Sequence, residues 1–229
     1  RKSNPGKEAT PIERLDTIET SPDEAQAKEL LQKLNVSVPA SVVCTTHEEA
    51  SRAFNQLSKP CVIKVLASDI AHKTEVGGVI LNVNSEELLI SALKQIDAIE
   101  SKQEKKYFIE QMAPDGLEII IGGKNDNSFG PTVLLGLGGT AAEAFGDVVM
   151  RLAPLNQIDA FEMISELKTS ALFDAWRGGV KYYKEAVSDI LVKIGQFMVQ
   201  HPEISEMDLN PVRVHEQGLV VLDALMFKA

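Results

Sequence analysis

Apolar positions recur along this chain in two ways, at helical spacing in some stretches and in short unbroken runs in others, and the two kinds alternate. Ser21-Pro22-Asp23-Glu24 combines an N-cap serine, an N1 proline and an N3 glutamate. Ala25, Leu30, Leu31 and Leu34 then fall on one face, which predicts a helix. A second capping box, Thr46-His47-Glu48-Glu49, predicts a helix to about Leu57, and Asn84 with Glu87 predicts a third through Ile99. Strands are predicted at 61–66, 78–83, 107–112, 117–122, 131–137 and 148–152, and helices from Asn156 to Lys168 and from about Lys184 to Gln200. The chain closes as a hairpin, MDLNPVRV and LVVLDALMF joined by HEQG. The connection between 107–112 and 117–122 is too short for a crossover helix, so much of the pairing must be antiparallel. No repeat or low-complexity segment breaks the pattern.

Composition narrows the classes. The 229 residues are 44% hydrophobic and 24% charged, enough for one large core or two small ones in an ordinary globular protein. A net charge of −10 repels phosphate backbones, so no nucleic-acid partner is expected. Cys44 and Cys61 sit in apolar contexts without CxxC spacing, as reduced thiols of a cytosolic protein would, and a sulfur-bound metal is not expected. No run matches the length of a membrane span and no apolar signal region opens the chain, so a cytoplasmic location without membrane contact is expected. Residues 1–20, polar and proline-bearing, read as a flexible linker or tail ahead of one domain at 21–229. The start at Arg1 suggests a fragment of a longer chain or a processed one.

Several polar residues stand where the pattern wants apolar ones. Lys64 lies inside the run Cys61–Leu66, either on the solvent face of an edge strand or buried against an anion; the stretch alone favours the first. His72 lies in SDIAHKTEVGGV, open to a surface or a functional role, while His47, His201 and His215 read as structural. Gly136-Leu137-Gly138-Gly139-Thr140-Ala141 matches a loose dinucleotide-binding pattern, but the residues after it are too few for a crossover helix. What remains is either a turn near a phosphate or plain turn glycines. Glu110 ends one apolar run, and Glu118 sits within another, where it needs a protein cation, a ribose hydroxyl or a metal as partner. If HEQG is a four-residue loop closing Val214 onto Leu219, Asn210 stands opposite Asp223, with Asp208 on the same face. Such oxygen donors suit Mg²⁺, and a merely polar outer face is the alternative.

Taken in order, PCVIKV, DIAHKTEVGGV, FIEQMAPDGLEIIIGGKND, FGPTVLLGLGG with Glu143 after it, RLAPL, WRGG and EMDLNPVRV with VLDA resemble one family. It is the ATP-grasp subunit or domain of NDP-forming acyl-CoA synthetases, and the resemblance runs from about Ser21 to the C-terminus. It implies an α/β protein of the ATP-grasp fold, with nucleotide between two α+β lobes and the small lid lobe within about 40–112. It implies that Lys64 meets the nucleotide phosphates, that Glu110, Gln111 and Met112 form the hinge beside adenine, and that Glu118 is the ribose-side carboxylate. Gly138 and Gly139 would approach the phosphates, Asn210 and Asp223 would hold Mg²⁺, and His72 would be phosphorylated transiently. Asp208 would act as a catalytic carboxylate, orienting His72 or substituting as a metal ligand. ATP or ADP and Mg²⁺ are the implied cofactors. The implied partner is a CoA-binding α-type subunit, or an upstream fused domain, in a dimeric or heterotetrameric enzyme. The chain departs from the family at Thr140-Ala141-Ala142 and at VKYYKEA after the Arg-Gly pair, which bears on local packing more than on the phosphate site. A degenerate ATP-grasp domain with a regulatory or scaffolding role, as in bacterial protein lysine acetyltransferases, is the alternative.

Overall fold

A computed structural model describes residues 11–70, 73–139 and 146–229. In chain order the elements are α1 (Glu24–Lys33), β1 (Ser41–Cys44), α2 (His47–Gln56), β2 (Cys61–Leu66), β3 (Val79–Val83), α3 (Glu86–Asp97) and β4 (Lys106–Gln111). There follow β5 (Leu117–Asp126), β6 (Gly130–Leu137), β7 (Val148–Leu152), α4 (Gln157–Glu166), α5 (Lys184–Gln200), β8 (Ile204–His215), β9 (Gly218–Val221) and β10 (Ala224–Lys228). Two short 3₁₀ turns, Ser170–Phe173 and Trp176–Gly178, link α4 to α5. The chain divides into two compact units, one of residues 39–113 with Asp23–Ala25, the other of residues 1–22, 26–38 and 114–229. Among the described residues no helix is long and apolar enough to cross a membrane.

The unit built on 39–113 is a four-stranded sheet in the order β1-β4-β2-β3, every pair antiparallel. Cys61, Ile63 and Val65 of β2 face α2 and α3 and pack with Phe54, Leu89, Leu93 and Ile96. The helix starts are set locally. Thr46 accepts from the Glu49 amide, one half of the expected capping box, while the Glu49 carboxylate takes the amide and hydroxyl of Thr45 in place of the Thr46 amide; α3 is capped by Ser85 and not by Asn84, because the Ser85 hydroxyl is the one that reaches the Leu88 amide.

In the other unit the strands run β10-β8-β5-β6-β7, with β9 also on β8, again antiparallel throughout. One sheet face is apolar: Ile119, Ile121, Val133, Leu135, Met207 and Leu209 pack with Met163, Ile190, Ile194, Phe197 and Met198 of α4 and α5. Alternation leaves the opposite face open and mixed, with Glu118, Lys124, Thr132, Glu206 and Asp208 beside Ile120, Leu134 and the exposed Val148, Met150 and Leu152. Ser21 does not cap α1. Its hydroxyl accepts from the Lys228 amide, and the helix begins only at Glu24.

Candidate functional site

The first cluster lies in the 39–113 unit. Lys64 is an interior-strand residue on the sheet face away from α2 and α3, beside the small apolar cluster of Ala25, Leu66 and Phe108. It is 5% exposed, so the solvent-facing position favoured by the strand alone is not the one adopted. The buried alternative holds, for a physical reason: two carboxylates compensate the ammonium. Lys64 Nζ lies 2.5 Å from Glu24 Oε1 and 2.6 Å from Glu110 Oε2. Glu24 Oε2 in turn meets Lys73 Nζ at 2.9 Å. All four side chains are almost fully buried, two cations against two carboxylates, which is the condition under which charges survive in an interior.

Three elements and a turn bring these groups together. Glu24 opens α1, Lys64 is central in β2, and Glu110 sits near the end of β4, where the register Val62↔Glu110 and Lys64↔Phe108 puts it on the lysine's face. Lys73 begins the turn between β2 and β3. That turn is closed by the Gly78 amide on the Lys73 carbonyl at 2.7 Å and the Val65 amide on the Gly78 carbonyl at 2.8 Å. Gly78 must be glycine, since a Cβ there would stand 2.4 Å from a Val65 methyl. His72 lies outside the described residues. In the stretch 110–112, Gln111 donates its amide to Ala40 and Met112 donates its amide to Pro60.

The second cluster is in the other unit, on the open sheet face. Strand β8 pairs with β9 as Val212↔Val221, Arg213↔Val220, Val214↔Leu219 and His215↔Gly218, so the turn is the two residues Glu216-Gln217, one pair tighter than the four-residue HEQG loop. The register itself is the one expected. It continues through Leu222 N donating to Pro211 O at 3.0 Å and into Ala224↔Leu209 and Leu225↔Asp208. Counting between these pairs sets Asn210 opposite Asp223, at the break that separates β9 from β10. Asp208 and Asn210 line a cleft of about 300 Å³ with Gly122, Lys124, Thr132 and Met150. The lining of that cleft does not include Asp223, whose carboxylate accepts from the Ala224 amide at 2.9 Å. Lys28, buried in α1, donates to the Leu222 carbonyl at 2.8 Å and so anchors the strand break beside Asp223.

Glu118 is half-buried on the open face, not in the core, because β5 alternates: Ile119 and Ile121 turn inward and Glu118 outward. Of the partners such a carboxylate could take, it has the cation, Arg213 directly across the strand pair at 2.7 Å. Gly138 and Gly139 have separate structural causes. A Cβ at Gly138 would press within 3.0–3.1 Å of the Glu118 and Ile119 backbone, and Gly139 turns with φ +84°. The residues that follow, Thr140 to Phe145, lie outside the described residues, Glu143 among them.

Sequence reasoning missed Glu24, Lys28, Lys73 and Arg213. Glu24 was hidden by its fit to a helix cap, and Lys28 by its place in an amphipathic helix.

The donor set fits Mg²⁺. Among the described residues no group of three or more His, Cys, Asp or Glu side chains could hold a metal on its own. Asn210 and Asp223 in register, with Asp208 two residues away, are hard oxygen donors of the number Mg²⁺ takes from protein when water and phosphates supply the rest.

Comparison with known proteins gives a consistent answer. The family model described as ATP-grasp domain matches residues 14–227. The β subunit of acetate–CoA ligase [ADP-forming] I from Pyrococcus furiosus is 36% identical over 208 residues, 89% of this chain and 90% of that one. Acetate–CoA ligase [ADP-forming] II from Archaeoglobus fulgidus is 38% identical over 201 residues, 88% of this chain but 29% of the relative's length. The chain therefore spans nearly all of one relative and about a third of the other. Among solved structures, the dinucleotide forming acetyl-coenzyme A synthetase 1 of Ca. Korarchaeum cryptofilum, in complex with coenzyme A, Ca-AMPCP and HgCl⁺, superposes with TM-score 0.85 at 35% identity, covering 92% of this chain and 94% of that one. The same protein in complex with coenzyme A and Mg-AMPPCP, its phosphohistidine segment pointing towards the nucleotide binding site, gives TM-score 0.80 at 36% identity, covering 92% and 93%.

Proposed function

The chain belongs to the ATP-grasp family, among the ATP-grasp subunits and domains of ADP-forming acetate–CoA ligases, and on that premise we propose that it binds ATP or ADP with Mg²⁺ and moves a phosphoryl group between nucleotide and phosphohistidine. The whole reaction is acid, CoA and ATP to acyl-CoA, ADP and phosphate, run with a CoA-binding α-type subunit or an upstream fused domain. The full enzyme is a dimer or heterotetramer in the cytoplasm. The observation that carries this reading is the hairpin register, which brings Asn210 and Asp223 opposite each other as a paired set of hard donors.

The residues take the following parts. Lys64, held in place by carboxylates, offers its ammonium to the nucleotide phosphates, where transfer depends on positioning and charge neutralisation more than on covalent chemistry. Glu110, Gln111 and Met112 flank adenine, and because the Gln111 and Met112 amides are already donated within the protein, recognition there falls to other groups of that stretch. Glu118, oriented by Arg213, faces the ribose. Gly138 and Gly139 keep the backbone bare enough for a phosphate to approach. Asn210 and Asp223 hold the metal, which when bound neutralises charge on the phosphates, and Asp208 is the catalytic carboxylate beside them. His72 accepts the phosphoryl group through a neutral ring nitrogen and releases it to the next acceptor.

The degenerate alternative, a domain that regulates or scaffolds without binding nucleotide, is disfavoured by the joint presence of Lys64, His72, Asn210 and Asp223. A calorimetric titration with ADP separates the two. Saturable binding that is lost when Mg²⁺ is chelated is expected, and no heat at millimolar ADP with Mg²⁺ present would favour the degenerate domain.

A further inference from the structure

Three side chains of the 39–113 unit converge at its surface from different elements. His47 is the first residue of α2, Asp97 the last of α3, and Tyr107 lies in β4. His47 Nε2 stands 3.0 Å from Asp97 Oδ2 and 3.0 Å from the Tyr107 hydroxyl, and that hydroxyl donates to Asp97 Oδ1 at 2.5 Å. The phenol proton is thereby committed to the carboxylate, so Nε2 must carry the proton that lies between the ring and the two oxygens. The His47 and Asp97 side chains are 52% and 44% exposed, open enough for water to reach both. We propose that this cluster binds a divalent transition-metal ion through His47 Nε2 and Asp97 Oδ2, with Tyr107 orienting the carboxylate and water completing the shell.

Spacing and chemistry both carry the assignment. Two ligands bound to Zn²⁺ at about 2.1 Å stand about 3.0–3.4 Å apart in octahedral or tetrahedral geometry, so the Nε2–Oδ2 distance needs little change to hold the ion. An imidazole with a carboxylate selects ions such as Zn²⁺ or Cu²⁺ over Mg²⁺, which prefers oxygen alone. The donor set therefore differs in kind from the oxygen set at the hairpin. A phenol donating to the second carboxylate oxygen is an outer-shell contact of the sort that fixes a metal ligand in orientation. The imidazole is held in turn by an edge contact with the Tyr107 ring, centroids 5.3 Å apart at 66°. The cation at this end of α3 is engaged by backbone: Lys105 Nζ donates to the carbonyls of Ile96, Asp97 and Ile99 at 3.1, 2.7 and 2.6 Å. Binding moves the Nε2 proton to Nδ1 in the neutral ring, or releases it to solvent from the imidazolium, and the ion takes its place between ring and carboxylate. The ion would tie the start of α2 to the end of α3 and stabilise the unit as it fills the site.

The test titrates Zn²⁺ into the full chain with Mg²⁺ in excess, comparing wild type with His47→Gln, Asp97→Asn and Tyr107→Phe, each first shown to be folded by circular dichroism. Wild type is expected to bind Zn²⁺ saturably in calorimetry and to melt at a higher temperature as the ion is added. His47→Gln and Asp97→Asn should each lose that binding and the rise in melting temperature, and Tyr107→Phe should bind about tenfold more weakly, the usual cost of an outer-shell contact. A measurement on wild type alone needs no variant to fold: of the four histidines, His47 should be the first whose ring resonances shift as Zn²⁺ is added with Mg²⁺ present. Wild-type Zn²⁺ affinity in folded His47→Gln, or ring shifts that begin at another histidine, would place the ion elsewhere and overturn the proposal. So would a wild-type chain that binds no Zn²⁺, which would leave the cluster a hydrogen-bonded brace between α2, α3 and β4.

Discussion

Replacing Lys64 by alanine is expected to unfold the 39–113 unit before it says anything about nucleotide. The ammonium is the shared partner of Glu24 and Glu110, both buried, and its removal leaves the cluster with excess negative charge in an interior. Deleting one partner of a buried ion pair costs about 3–5 kcal/mol, a large part of the stability of a small domain. Urea titration of Lys64→Ala should show that loss. The phosphate role needs a charge-balanced variant, Lys64→Met with Glu110→Gln, which leaves Glu24 paired with Lys73. That double variant should stay folded and bind ADP about tenfold or more weakly than Glu110→Gln alone, which controls for the place of Glu110 beside adenine; the difference is the size of a lost charge-assisted contact of about 1.5–3 kcal/mol. A folded double variant with undiminished ADP affinity would confine Lys64 to structure.

The second large effect is expected at the hairpin. Asp223 supplies the only charge of the Asn210–Asp223 pair, so Asp223→Asn should raise the Mg²⁺ concentration needed for half-maximal ADP binding by about tenfold or more, by the same contact energy. Asn210→Ala should raise it less. The fold should tolerate both, because the pair sits on the open face and at a strand break, and the core residues Leu209 and Val221 beside it are unchanged. The two losses should be non-additive, since either one opens the same metal shell, with Asp208 available as a substitute oxygen. Titration of Mg²⁺ at fixed ADP reads all three variants, and an unaltered Mg²⁺ requirement in the Asn210→Ala, Asp223→Asn double variant would remove the metal from this hairpin.

These two clusters differ in how far the sequence foretold them. The hairpin register follows from local counting: once Val214 is closed onto Leu219, every further pair is fixed, and a turn tightened from four residues to two does not change it. The strands and helices were legible for the same reason, since periodicity and caps are local. Strand β1, Ser41–Cys44, escaped because four residues with two exposed valines carry no alternation to read. Strand β5, expected at 117–122, runs on through Gly123 to Asp126. Gly123 is there for packing, since a Cβ would stand 2.8 Å from the Met198 side chain of α5. The burial of Lys64 was not legible, because its partners come from distant parts of the chain. Glu24 completed a convincing capping box with Ser21, and nothing local told that Ser21 would accept from Lys228 instead and leave the glutamate for the interior.

The claim that this chain handles the phosphoryl group is tested most directly by running the reaction towards ATP. The CoA-binding partner, carrying a radioactively labelled phosphoryl group, is mixed with the chain, ADP and Mg²⁺. Label should pass to ATP only when the chain is present, with an acid-labile labelled intermediate on the chain that His72→Ala abolishes while ADP affinity is kept. Label that stays on the partner in the presence of a chain saturated with ADP and Mg²⁺, or that reaches ATP equally well with His72→Ala, would contradict the account.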